Sequence, residues 1–311
     1  MSEHYVWVEK FRPRVVEDCI LPKATKASIK SLVAQGNIPN LLLNGPPGMG
    51  KTTLALALCQ ELNWEPLIIN GSEERGIDTF RFKIKNFASS LSLDGRRRCV
   101  IIDEADYLTP DAQAASRSLI EEFAINCSFI FTCNNSTKLI PALHSRCSTI
   151  NFAIPPAERS RLMAAVFERL KFILTEEKVT FDENIVVALI KRWWPDVRRT
   201  INEMQRGCVD GALSPSVLGQ HNDANYADLW LALQAKDFTA VRKWVGENEY
   251  LDAPRFYRAV FEWCCDFLTP QTLPAAVIII ADYQYRNLFA VDPQVHMSAF
   301  CAELMMSTAV K

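Results

Sequence analysis

Residues 45–52 read GPPGMGKT and stand between an apolar run, Leu41 to Leu43, and a helical pattern, Thr53 to Leu62. A strand that passes through a glycine-rich turn directly into a helix has few ways to fold, and the spacing G-x-x-x-x-G-K-[ST] is the one that cradles phosphate. Gly45, Gly48 and Gly50 permit turns that aim successive N–H groups inward, and the N-terminus of the following helix adds a dipole that favours an anion. Lys51 is expected to bridge the β and γ phosphates and Thr52 to ligate Mg²⁺. The whole run Gly45, Pro46, Pro47, Gly48, Met49, Gly50, Lys51, Thr52 and Thr53 is expected to contact the nucleotide, with ATP and Mg²⁺ as the ligands.

The surrounding pattern predicts an α/β fold. Short β-branched runs alternate with helical patterns: Asn40 to Asn44, a helix from Lys51, Pro66 to Asn70, a helix around Thr79 to Leu91, Cys99 to Asp103, a helix from Pro110, and Ser128 to Thr132. Buried strands alternating with helices imply a parallel sheet flanked by helices. From Pro155 onward the strand signal fades. Residues Pro156 to Ala212 carry helical periodicity broken at Pro195, and the remainder is helical with prolines at 215, 254, 270, 274 and 293. Linkers are placed near Ala153 to Pro156 and Gly211 to Pro215, which divides the chain into a phosphate-loop domain (1–154), a small helical lid (155–212) and an all-helical C-terminal domain (213–311).

A second chemical signal follows the apolar strand Val100 to Ile102, which ends in Asp103 and Glu104. Two carboxylates at the end of a buried strand need a cation or a proton-transfer task, because unpaired charge at a core edge is costly. Asp103 fits a Mg²⁺ ligand acting through water, and Glu104 the base that orients the attacking water. The letters DEAD at 103–106 invite a helicase reading, but the S-A-T element expected with it is missing.

Bulk properties exclude several classes. The chain has 311 residues, 49% hydrophobic and 23% charged, a globular composition with room for two or three domains. No apolar run approaches the roughly 20 residues of a spanning helix, so no membrane role is expected. Ten scattered cysteines without a C-x-x-C pair read as reduced core thiols in a cytoplasmic setting. With a formal net charge of −2, any contact with nucleic acid has to be a local basic patch.

The segments WVEKFRP (7–13), NGSEERGID (70–78), IIDEAD (101–106), FTCNNS (131–136), LHSRC (143–147) and PDVRRTIN (195–202) resemble the ordered motifs of AAA+ sliding-clamp loaders. They are similar to those of replication factor C small subunits and of the large subunit of the phage T4-type loader. The matches cover about two-thirds of the chain, and the C-terminal third matches by length and helicity only.

The resemblance implies roles residue by residue. Val8, Glu9, Lys10, Phe11 and Arg12, with Ile20, would line an adenine pocket; the same segment also suits an N-terminal packing strand. Asn134 would be the sensor amide that holds the attacking water or γ-phosphate, or else a capping asparagine. Asn70 would restrain the catalytic glutamate until DNA binds. Arg146 would be an arginine finger acting on the ATP of a neighbouring subunit, and Arg198 would reach the γ-phosphate of its own subunit, with Arg199 beside it; each arginine also suits a surface ion pair. The helix Thr79 to Leu91 places Phe80, Ile84, Phe87 and Leu91 on one face and Arg81 with Lys85 on another. In the family that helix follows duplex DNA, so Arg81 and Lys85 are the DNA candidates, with Arg75 and Arg96 to Arg98 as weaker ones.

The resemblance further implies other loader subunits as partners, in a heteropentamer with several copies of this chain, together with the sliding clamp and primer–template DNA. The clamp would meet the tip near Leu91 to Leu93 and the helix after Pro110. Two rivals stay open: another AAA+ motor acting on DNA, and a subunit that binds nucleotide only as a scaffold. The length and the lack of a basic targeting stretch lean toward a phage protein working in the host bacterial cytoplasm.

Overall fold

The computed structural model describes residues 5–36, 38–73, 77–90, 95–219, 226–248 and 253–309. The chain divides into two compact units, Met1–Leu218 and Gly219–Lys311.

The first unit is built on five parallel strands, β1 (Leu41–Asn44), β2 (Glu65–Asn70), β3 (Arg98–Asp103), β4 (Cys127–Cys133) and β5 (Ser148–Asn151), in the order β2-β3-β4-β1-β5. Side chains alternate across a strand, so β1 sends Leu41 and Leu43 to one face and Leu42 to the other. The first face packs on α2 (Lys23–Ala34) and α3 (Lys51–Glu61) through Ile29, Leu54 and Leu58. The second packs on α4 (Ile77–Ser89) and α5 (Pro110–Glu122) through Phe80, Ile84 and Leu119. Strands β3 and β4 are covered on both sides, which is why they read as continuous apolar runs. Pro110 opens α5, and the Thr109 hydroxyl caps it by accepting from the Ala112 N–H at 3.3 Å.

The sheet departs from the sequence expectation at one strand. β5 has the sequence STIN and exposes Ser148, Thr149 and Asn151. An edge strand with one half-buried apolar residue carries no hydrophobic signal, and only its pairing with β1 makes it a strand.

The first unit also holds a short helix α1 (Trp7–Lys10) and the single-turn α6 (Pro141–His144), and α7 (Arg159–Glu176), α8 (Glu183–Trp193) and α9 (Val197–Gly207) form a three-helix segment after the sheet. Trp7, Leu170, Leu189 and Met204 share its core, so α1 packs on this segment as a helix rather than a strand. Ala212 and Leu213, within the stretch read as a linker, pair with Cys208 and Val209 in a small antiparallel ribbon ahead of α10 (Ser216–Gly219).

The second unit holds α11 (Tyr226–Ala235), α12 (Phe238–Glu247), α13 (Ala253–Phe267), α14 (Leu273–Arg286) and α15 (Pro293–Ser307). Its core is aromatic: Phe256, Tyr257 and Phe300 meet edge to face, with Tyr257 and Phe300 centroids 5.0 Å apart.

All ten cysteines are free. Burial pushes the Cys264 and Cys301 thiols up to about 12, as expected of inert core thiols. Among the described residues, no helix is long and apolar enough to cross a membrane.

Candidate functional site

Register fixes the site. β1, β2, β3 and β4 run in one direction, with Asn44 opposite Cys133 and Asn70 opposite Asp103, so the carboxyl ends of four strands open on one edge of the sheet. Ligands of open parallel sheets bind there. The phosphate loop leaves β1 at this edge, anchored by the Gly45 N–H to the Cys133 carbonyl at 3.2 Å. Gly48 (φ 71°) and Gly50 (φ 82°) take left-handed backbone that a side chain would strain, and Gly50 starts α3.

Lys51 is 8% exposed. Its ammonium donates to the Gly45 carbonyl (2.7 Å), the Pro46 carbonyl (2.8 Å) and Asn134 Oδ1 (2.8 Å). Burial is the main cause that lowers its pKa from the ordinary lysine value. A desolvated cation held by three neutral oxygens is a group ready to exchange them for an anion.

The two acids stand beside it. Asp103 Oδ1 accepts from the Thr52 hydroxyl at 2.6 Å and from the Thr132 hydroxyl at 2.5 Å. Glu104 sits in left-handed backbone (φ 55°), and its N–H donates to Thr132 Oγ1 at 3.0 Å. The Thr52 and Asp103 oxygens therefore lie next to each other, a pair of hard donors that fits Mg²⁺. Asp106 is buried against the loop after β4, where it accepts from the Asn135 N–H at 3.2 Å.

A cavity of about 110 Å³ opens beside the loop. Val8, Phe11, Arg12 and Ile20 line it from the N-terminal segment, Gly48, Met49, Gly50 and Thr53 from the loop and α3, and Val197, Arg198 and Ile201 from α9. Glu9 and Lys10, expected there, lie elsewhere: they line a separate cleft of about 1230 Å³. The reason is helical. Residues of α1 fan out by about 100° each, so Val8 and Phe11 share one face and leave Glu9 and Lys10 on the others. Lys10 pairs with Glu177 at 2.6 Å, and Glu9 pairs with Arg12.

Arg198 and Arg199 separate cleanly. The Arg198 N–H meets the Gly48 carbonyl at 3.4 Å and its residue lines the cavity. Arg199 instead stacks on Trp193, with its guanidinium 3.6 Å from the ring centroid. Asp196 caps α9 by accepting from the Arg199 N–H at 2.9 Å, and its carboxylate lies against Gly48, where a Cβ would come within 1.8 Å of Oδ1.

Comparison with known proteins decides the family. The model of the ATPase family associated with various cellular activities (AAA) matches residues 41–154. The chain is 32% identical over 309 residues to the sliding-clamp-loader large subunit of Enterobacteria phage T4, covering 97% of this chain and 96% of that one. It is 34% identical over 276 residues to the same subunit of Escherichia phage RB69 (87% and 83% covered), and 39% identical over 328 residues to the replication factor C small subunit of Methanosarcina acetivorans (97% and 95%). The chain belongs to the clamp-loader family of AAA+ ATPases. Among solved structures, a Thermotoga maritima RuvB mutant superposes with a TM-score of 0.54 at 19% identity, over 73% of this chain and 79% of that one, a likeness of fold alone.

Arg146 and Asn70, also expected to act at the site, are engaged elsewhere. Arg146 follows α6, and its guanidinium donates to Glu121 Oε1 (2.9 Å from Nε, 2.5 Å from Nη2) and to the Ala142 carbonyl (3.0 Å). Asn70 spends its amide on its own turn: Oδ1 accepts from the Ser72 N–H (3.0 Å) and hydroxyl (2.8 Å), and Nδ2 donates to Glu73 at 3.3 Å. Its side chain makes none of these bonds with Glu104.

On α4, Phe80, Ile84 and Ala88 are buried, while Arg81 and Lys85 face solvent; Lys85 pairs with Glu122 at 3.1 Å. Leu91, Arg75 and the tip at Leu91 to Leu93 lie outside the described residues. The run Arg96 to Arg98 divides. Arg98 is buried, bonded to the Phe87 carbonyl and the Ser90 hydroxyl at the end of α4, so it is structural rather than a DNA candidate. Arg97 lies over the Trp64 ring at 5.2 Å.

Sequence reasoning missed three polar groups. Thr132 is hidden inside an apolar strand, and Asp196 looks like an ordinary helix cap. Gln113 is buried on α5, where it donates to the Leu108 and Lys138 carbonyls (3.2 Å each) and accepts from the Ile140 N–H at 2.8 Å. A polar residue at a position that the helical period assigns to the core was the available signal for Gln113.

Proposed function

We propose that this chain is the ATPase subunit of a sliding-clamp loader, and that copies of it assemble with a partner subunit to open a ring clamp and place it on primer–template DNA. ATP hydrolysis then releases the clamp. The observation that carries this reading is the convergence of Lys51, Asp103, Glu104 and Arg198 on one edge of the sheet in a chain that aligns end to end with loader subunits.

In this reading Lys51 gives up its carbonyl partners for the β and γ phosphates, and Asn134, released from the ammonium, turns to the γ-phosphate or the attacking water. Thr52 and Asp103 would hold Mg²⁺, which supplies charge neutralisation on the phosphates when bound. Glu104 orients the water. Val8, Phe11 and Ile20 give the base an apolar slot, and Arg198 reaches the γ-phosphate from α9. Arg146 completes the site from the neighbouring subunit, so turnover depends on assembly. A finger of this kind is worth roughly 10³ to 10⁵ in rate, about 4–7 kcal/mol of barrier. Arg81 and Lys85 on α4 contact DNA phosphates, which yields salt-dependent affinity without sequence readout. Asn70 restrains Glu104 until DNA binds, which requires it to exchange its bonds to Ser72 and Glu73 for the Glu104 carboxylate. The phage relatives support a phage-encoded protein acting in the host cytoplasm, with the C-terminal helices as the oligomerisation domain.

The test is ATP turnover by the assembled complex with and without a ring clamp and primed DNA. Stimulation by both is expected, and turnover indifferent to both would move the protein to another DNA motor. A scaffold subunit would show no turnover even when assembled.

A further inference from the structure

We infer that Thr132 is a positioning residue that sets both acids of the hydrolytic site, holding the Asp103 side chain and the Glu104 backbone through one hydroxyl. This rests on the reading of Asp103 and Glu104 given above.

Thr132 is 1% exposed and lies in β4 between Phe131 and Cys133. A buried hydroxyl in an apolar strand is stabilising only if its bonds are made. Here both are made, and both go to the acid pair: Oγ1 donates to Asp103 Oδ1 at 2.5 Å and accepts from the Glu104 N–H at 3.0 Å. The second bond falls on the residue whose backbone is left-handed, at φ 55° and ψ 44°, a conformation that costs a non-glycine residue energy and persists only where its surroundings fix it. The direction of the Glu104 side chain follows from that backbone.

Asp103 Oδ1 has a second donor, the Thr52 hydroxyl at 2.6 Å. In the proposed reading Thr52 is one of the residues that would hold Mg²⁺, so its hydroxyl would no longer serve Asp103 alone. Thr132 then remains as the donor that keeps Asp103 in place. Asn134 follows two residues later, directly after β4 ends at Cys133, so the amide on Lys51 and the hydroxyl that holds both acids are set by one stretch of backbone. Partners that orient a metal-binding group typically contribute 10- to 100-fold in metal affinity or activity.

Thr132→Val keeps the shape and removes both bonds. In the full chain, binding of a fluorescent non-hydrolysable ATP analogue is titrated with Mg²⁺. The expected result is a midpoint raised about tenfold or more, with Mg²⁺-free binding unchanged, and in the assembled complex kcat reduced 10- to 100-fold at little change in KM. Thr132→Ser restores both. A merely structural role would lower thermal stability and leave the Mg²⁺ midpoint alone. If Val at 132 does not fold, Thr132→Cys against Thr132→Ser makes the same comparison, since a thiol is a poor donor and acceptor. Wild-type Mg²⁺ midpoint and kcat in the Val or Cys variant overturn the inference. Glu104→Gln in parallel separates the two levels: if it keeps full turnover, the reading of the acids fails first.

Discussion

Lys51 and Arg146 are two of the three side-chain cations read as touching phosphate, yet they sit in opposite physical settings. Lys51 is buried, lowered in pKa by that burial, and bonded to three oxygens supplied by its own loop and by Asn134 just after β4. The side chain of Arg146 is 27% exposed and paired with a carboxylate that is itself largely in solvent. The first is built in before any ligand arrives. In the proposed function the second is drawn away by a neighbouring subunit's phosphate, giving up its pair with Glu121 and its bond to the Ala142 carbonyl. On the proposed reading the contrast separates what folding alone delivers from what assembly adds, since an ion pair with one exposed partner is worth little.

Variants can break that contrast. The largest effect is expected at Lys51→Ala, which should abolish turnover by at least about 10³-fold and weaken ATP binding by the isolated chain, read by turnover and by nucleotide titration. Arg146→Glu should match it in turnover of the assembled complex, about 10³-fold or more, while leaving nucleotide binding by the isolated chain unchanged. Equal loss of binding in both variants would erase the distinction between built-in and borrowed charge.

Gly48→Ala comes next. Left-handed backbone and the Asp196 carboxylate at 1.8 Å from an added Cβ force the loop or α9 to move, so nucleotide affinity should fall about 10- to 100-fold with a lower melting temperature.

Glu121→Gln should give the smallest change, a rise of a few-fold at most in assembled turnover as Arg146 is freed. Arg146 holds the Glu121 carboxyl below the ordinary value of 4.5, chiefly by hydrogen bonding. The pair is therefore complete above the usual carboxylate range and lost only as pH falls through the lowered value. Between pH 6 and 8 the turnover profile should keep the same shape with Glu or Gln at 121, offset only by that few-fold factor.

What the sequence made legible was local. The phosphate loop, the Asp103–Glu104 pair and the strands β1, β3 and β4 announce themselves because spacing within a few residues, or continuous burial, leaves a mark on composition, whereas β2 exposes Pro66 and Ile68 and is legible only from its apolar run Leu67 to Ile69. The polar edge strand β5 left none, since its identity comes from pairing with β1. Glu9 and Lys10 were grouped with Val8 and Phe11 because a motif is read as a block, whereas a helix distributes its side chains around an axis. Thr132 and Asp196 act on residues 28 and 148 positions away, Glu104 and Gly48, through contacts that only the folded register creates. Arg98 looked like part of a basic run and proved to close the end of α4.

Asp196 and Arg198 rest their helix directly on Gly48, with no space for a methyl group between them. A loop pushed outward by a bound triphosphate would therefore press first on the start of α9. For a helix as long as the 18-residue α7, about 27 Å, a tilt of about 5° moves the far end roughly 2 Å. That is the scale on which neighbouring protein surfaces either mesh or miss.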